Sequence, residues 1–219
     1  MGWLTNALDF LYKGGPVMVP LIACSVLSVA VMMERFLTMR QSSVDGDGLM
    51  RRVEDLISRG EVKQAVRQCE FTGGFVGNVL AAGLSAGTAR PDAMERAMQE
   101  AASKQSTELH RRLSVLDTII TIAPLLGLLG TVTGMIKSFH VISTKQGMSA
   151  PTAITGGVAE ALIATATGLA IAICTLVGYN YLNERVSQIV GDAEARCNQL
   201  MNVVSDTRER KHEVTALSA

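Results

Sequence analysis

Glu160 stands alone as an acid at the head of a long apolar stretch, GGVAEALIATATGLAIAICTLVGYN, from Gly156 to Asn180. Nineteen residues without a charge follow it, Ala161 to Tyr179. A carboxylate in such a segment is costly unless it faces water, a cavity or a partner. Thr165 and Thr167 follow within two turns, and another apolar stretch carries Thr131 and Thr133. A carboxylate with hydroxyls at helical spacing could hand on a proton or a cation. It could equally offer hydrogen-bond donors to an acid on a partner. Threonines in membrane helices also commonly bond their own backbone carbonyls. For Thr131 and Thr133 the residues alone favour that ordinary role.

The elements that must position these groups are apolar helices. Gly14 to Met33 is twenty residues without a charge, and Thr118 to Ile136 is nineteen. With the stretch after Glu160 they make three runs, each long enough to cross a bilayer as a helix. The fold expected is an all-α membrane protein. The rest of the composition agrees: of 219 residues 48% are apolar and 18% charged, with zero net charge, which implies no nucleic-acid partner. No dinucleotide, P-loop, HExxH or CxxC pattern occurs, and no nucleophile–base set stands out, so an enzyme is not expected. Cys24, Cys69, Cys174 and Cys197 are far apart and read as unpaired, Cys24 as a core residue.

Lys and Arg set the orientation. Twelve of the twenty lie between Glu34 and Asp117 and five follow Leu182, whereas Lys13 stands alone before the first run. The long loop and the C-terminus are therefore expected in the cytoplasm and the N-terminus outside. The resulting plan is 1–13 as an amphipathic surface helix carrying Trp3 and Tyr12, 14–36 as the first span, and 37–114 as a cytoplasmic helical loop. The second span is 115–140, the outer link 141–155, the third span 156–182 and the cytoplasmic C-terminal helix and tail 183–219. Membrane lipids surround the spans.

Within the loop, Leu49, Val53, Leu56 and Ile57 make one apolar helix face opposite Arg51, Arg52, Glu54 and Asp55. Gly60, Gly73, Gly74 and Gly87 punctuate two further short helices. Pro91 opens the next helix. No breaker follows between Asp92 and Ala123, so one helix is expected from Asp92 to His140, roughly 70 Å long, kinked at Pro124. Glu34 and Arg35 are expected to form a solvated ion pair closing the first span. The tail should be helical from Asn183 to Val214 and frayed beyond. Gly127, Gly130 and Gly134 share one side of the second span, with Ala161, Ala164, Gly168 and Ala172 on one side of the third. Small residues at this spacing let helices approach closely in lipid. One subunit has few neighbours for such faces, so a ring of subunits is expected.

Counting inward from Val115 and Tyr181, Thr131 and Thr165 each lie sixteen residues deep, roughly 24 Å from the inner surface. Glu160 lies one to two turns further out. At these residues the chain resembles a known family. APLLGLLGTVTGM (Ala123 to Met135), GVAEALIATATGLAIAI (Gly157 to Ile173) and Tyr179-Asn180 are similar to the motifs of the MotA/TolQ/ExbB proton-channel family, in order and topology. GGPVMVPL (Gly14 to Leu21) and Glu34-Arg35 resemble the ExbB-type first span.

The resemblance implies a homopentameric ring around a pore, holding two copies of a single-span ExbD/TolR-like partner with a membrane aspartate. It implies an inner-membrane motor without cofactors that uses proton flow to drive a TonB-like protein and outer-membrane transport. Thr131, Thr165 and Glu160 match the pore residues of that family, and Thr167 adds a hydroxyl that could favour sodium over protons. Cys174 stands where the family has proline, and three spans argue against a four-span flagellar stator. A Tol–Pal or gliding role, or a non-conducting scaffold, are the alternatives, and a scaffold has no use for Glu160.

Overall fold

The computed structural model describes residues 14–42, 46–144 and 150–217. The expected surface helix at 1–13 and Lys145 in the outer link lie outside the described residues. The regular elements among the described residues are all helices: α1 (Met18–Ser42), α2 (Gly46–Ser58), α3 (Val62–Thr72), α4 (Gly74–Ala86), α5 (Pro91–Arg111), α6 (Leu113–Thr144) and α7 (Ala150–Leu217). Three of the helical stretches are long and apolar enough to cross a membrane: Met18–Met39, Pro91–Val141 and Thr155–Glu209. The helices divide between two compact units, one built from the chain up to Glu34 with Arg112–Tyr181, the other from Arg35–Arg111 with the chain from Leu182 onward.

The first unit is apolar inside and out. Val17, Met18 and Leu21 at the start of α1 meet Ile119 and Ala123 of α6 and Ala164 and Ala172 of α7, with Cys24 packed at their edge. Gly15, at φ +75°, turns the chain into α1, and the Met18 N–H donates to its carbonyl at 3.1 Å. Such a φ suits glycine because no Cβ meets the carbonyl. Lipid tails are as apolar as leucine, so close backbone packing does the holding.

That packing uses the small residues within one chain. A Cβ on Gly127 would sit 3.0 Å from Thr165 Cα, one on Gly134 2.7 Å from the Gly157 carbonyl, and one on Gly168 2.5 Å from the Ala123 carbonyl. Gly130 lies against Ala164, and Ala161 against Gly134. The expectation that these faces need a neighbouring subunit is therefore corrected: α6 and α7 of the same chain fill them as an antiparallel pair. What points outward is large and apolar, including Val26, Val29, Leu125, Val132, Leu162 and Ile173.

Two other expectations change at the inner ends of the helices. The helix from Asp92 to His140 is interrupted at Arg112, between α5 and α6. The Arg112 guanidinium pairs with the Glu34 carboxylate at the end of the apolar part of α1. Arg35 is buried, only 5% exposed, so Glu34 and Arg35 are not a solvated pair. The break covers the single residue Arg112 and carries no glycine or proline, so the residue pattern does not mark it.

In the second unit, α2 buries Leu49, Met50, Val53 and Ile57, with Leu56 half-buried. Gly60, Gly73, Gly74 and Gly87 all take positive φ and separate α2, α3, α4 and α5. α4 packs between α3 and α5, and Gly83 accepts the side chains of Met94 and Met98 against its backbone. Arg196 of α7 pairs with Asp47 at 2.7 Å and Asp192 at 3.3 Å, while the Gln199 amide donates to Glu54 at 2.7 Å. α7 itself is one helix of 68 residues that runs past Val214 to Leu217. A single stripe of buried positions runs along it: Gly157, Ala161, Ala164, Gly168, Ala172, Thr175, Leu182, Val186, Ile189, Ala193, Leu200 and Val204. The steps of three, four or seven keep the helical period.

Candidate functional site in the apolar unit

α6 and α7 run antiparallel with Gly130 beside Ala164 and Gly134 beside Ala161. With Gly127 against Thr165, this register puts Thr131 within about one turn of the level of Thr165. Thr165 Oγ1 donates across the helix pair to the Gly127 carbonyl at 2.9 Å. Thr131 Oγ1 donates to Leu128 O of its own helix at 2.6 Å, and Thr167 Oγ1 to Ile163 O at 2.8 Å. Thr133 Oγ1 lies 3.0 Å from Leu129 O and 3.1 Å from Gly130 O. Thr131, Thr133 and Thr167 thus satisfy their protons at home, and Thr165 alone of the four reaches another helix. A hydroxyl that donates in this way keeps its oxygen lone pairs as acceptors.

Glu160 lies one to two turns outward of Thr165, and its side chain is 19% exposed. Its carboxylate meets the Lys137 ammonium of α6, Nζ to Oε1 2.5 Å. Lys137 is 51% exposed. The same oxygen lies against Gly15, where an added Cβ would fall on Glu160 itself. A glycine at this turn therefore serves both the backbone and the carboxylate. Near the pair, Ser138 is buried and donates to Gly134 O at 3.1 Å, with Gly157 packed on its hydroxyl. Pairing of opposite charges lowers the cost that either alone would carry in an apolar segment.

Lys137, near the outer end of the expected second span, is the functional candidate that the sequence reading did not name. The signal was present. Once Thr131 is set level with Thr165, an antiparallel register puts position 136 level with Glu160, one residue from the lysine. The sequence-named packing residues Gly127, Gly130, Gly134, Ala161 and Gly168 all line the α6–α7 contact.

Comparison with protein families matches residues 73–195 to the MotA/TolQ/ExbB proton channel family. The chain belongs to this family. The matched segment holds every one of the hydroxyls above, Lys137 and Glu160. A biopolymer transport protein named ExbB-like 1, from Synechocystis, is 36% identical over 188 residues, covering 83% of this chain and 72% of that protein. Biopolymer transport protein exbB1 of Vibrio cholerae is 31% identical over 170 residues, 75% of this chain and 73% of its own length. The Tol-Pal system protein TolQ of Pseudomonas aeruginosa is 38% identical over 91 residues, 42% of this chain and 39% of its own. The family relation and the three apolar helices make this a multi-pass inner-membrane protein of the ExbB type. Its kin are channel-type transport subunits, not enzymes.

Proposed function

We propose that the protein is the pore-lining subunit of an inner-membrane, proton-driven motor that works for TonB-dependent outer-membrane transport. In this reading five copies form a ring around two copies of an ExbD/TolR-like single-span partner that carries a membrane aspartate. The N-terminus is periplasmic and the C-terminus cytoplasmic. No cofactor is required, and the transported species is the proton. Glu160, Thr131, Thr165 and Thr167 line the ion path, with the partner's aspartate at the depth of Thr131 and Thr165.

The observation that carries the reading is a carboxylate held inside the apolar unit of a chain whose relatives are named for biopolymer transport. Packing alone gives no reason to keep a charge there, which weighs against a scaffold. The ExbB-named relatives above match three quarters or more of the chain and the TolQ match less than half, which favours the TonB role over the Tol–Pal one.

The test is growth that depends on energised import, with blots for protein level. Glu160→Gln, Thr165→Val and Thr131→Val are each expected to abolish import at normal abundance, and Thr133→Val to be tolerated. Full import by all three variants at normal abundance would remove the pore assignment. Native mass spectrometry of the purified protein showing only monomer would remove the ring.

A further inference from the structure

Lys137 is a second charge in the apolar unit, and the ion path as proposed has no role for it. Its geometry supplies one. The ammonium lies 2.5 Å from Glu160 Oε1. The same oxygen is the first atom that a Cβ on Gly15, at the turn into α1, would meet. Glu160 is 19% exposed and the lysine that pairs with it is 51% exposed. The acid is therefore already occupied by a cation that cannot leave, because it is tethered to α6.

We infer that Lys137 is a specificity-determining residue: its ammonium holds the place beside Glu160 that a sodium ion would need. The inference rests on the reading that Glu160 lies on the ion path, and it names which ion the path admits. Two monovalent cations about 4 Å apart repel strongly where the effective dielectric is near 20, enough to lower occupancy by roughly two to three orders of magnitude. Sodium must therefore displace the lysine or bind beside it at that penalty. A proton does neither. The Nζ–H bond can break as an Oε1–H bond forms, leaving a neutral amine beside a neutral acid. The amine then takes a proton from a hydronium ion on the outer side, releasing water, and the acid passes its own proton inward and returns to the carboxylate. No extra cation enters the site, and the charge count closes at each step. Thr167 does not reverse this preference, since it lies seven residues along α7 from Glu160, roughly 10 Å along the axis.

The test uses the purified full-length chain in detergent and a hydrophobic carbodiimide, which reacts with protonated carboxyl groups. Adduct formation on Glu160 is followed by peptide mass spectrometry in sodium chloride and in choline chloride. The wild type is expected to label slowly and at one rate in both salts, because Lys137 covers the carboxylate and leaves sodium no place beside it. Lys137→Met should label at least about tenfold faster in choline, and sodium should slow that labelling several-fold. Lys137→Arg, which restores the cation, should return to slow labelling that ignores sodium. Thermal melting of each variant controls for folding, and the arginine variant keeps the test decisive if the methionine variant melts early. Sodium protection of the wild type, or a Lys137→Met protein that labels like the wild type in both salts, overturns the inference. The labelling does not need motor output, so loss of the motor reading through an active Glu160→Gln protein is a separate result.

Discussion

Thr165 and Thr131 carry the same hydroxyl on facing helices, yet only Thr165 bonds across to the other helix. Thr165→Val should therefore lower stability by about 0.6 kcal/mol and by no more than roughly 1.7, the range for interhelical hydrogen bonds in membranes. Thr131→Val should stay within about 0.5 kcal/mol of the wild type, since it loses a bond within its own helix. Thermal unfolding in detergent separates the two, and a larger cost for Thr131→Val would show that its hydroxyl has a partner elsewhere. Outside the apolar unit, burial and then the Glu70 charge push the Cys69 thiol from 9.0 up to about 12. Burial and then Glu194 push the Cys197 thiol from 9.0 up to about 11. The thiolate is the nucleophile, so alkylation of both at pH 8 should run at least about 100-fold slower in the folded protein than in the unfolded one. The folded pKa values are raised, so the stability these thiols confer is complete below pH 9. It falls as pH rises from 9 toward 11 and 12, because the unfolded chain ionises first. Melting temperatures that stay flat from pH 8 to 10 would contradict this. Of the residues that matter here, Glu160 and the threonines were legible in the sequence because a lone acid and hydroxyls stand out among apolar neighbours. Lys137 was not, because a lysine near a helix end reads as a surface charge until the register of the facing helix is applied.

At the scale of the element, glycine sets how close α6 and α7 come. A Cβ on Gly134 would lie 2.7 Å from a backbone carbonyl, which cannot swing aside as a side chain can. Gly134→Val should therefore cost about 1–3 kcal/mol or more through overpacking, and Gly156→Val, where nothing lies within 4 Å, should cost far less. Equal melting temperatures for the two variants would mean that the helices are not held this closely. The existence and order of the helices were readable from unbroken apolar runs and from the glycines that end α2, α3 and α4. The interruption at Arg112 was not, since it lies where Arg112 meets Glu34 on a distant part of the chain, and local propensity carries no trace of that. The glycine stripes were read correctly as packing faces but assigned to the wrong neighbour. Spacing says that a face wants a close partner and is silent on whether that partner lies in the same chain. The Glu34–Arg112 pair is half exposed on both sides, so Glu34→Ala should cost no more than about 1 kcal/mol in the same melting assay.

At the scale of the whole molecule, two elements, α1 and α7, each contribute to both compact units, and in each unit the buried positions of α7 keep the helical period. Each residue turns the helix by about 100°, and seven residues bring it back to within about 20° of its starting direction. Within the second unit, the order of residues after Ile189 is thus clocked against the order before it. One alanine inserted between Ile189 and Val190 keeps every residue and every local propensity, but it turns Ala193, Leu200 and Val204 away from the direction set by Leu182, Val186 and Ile189. A seven-residue insertion at the same place adds far more chain and leaves the direction nearly intact. The single insertion should therefore be the more harmful to thermal stability and to accumulation in the membrane, a ranking opposite to the size of the change. In a helix packed this way along one face, added length is tolerated best in near-multiples of the helical repeat, and natural variation within this part of α7 should come as steps of seven or eleven residues rather than one.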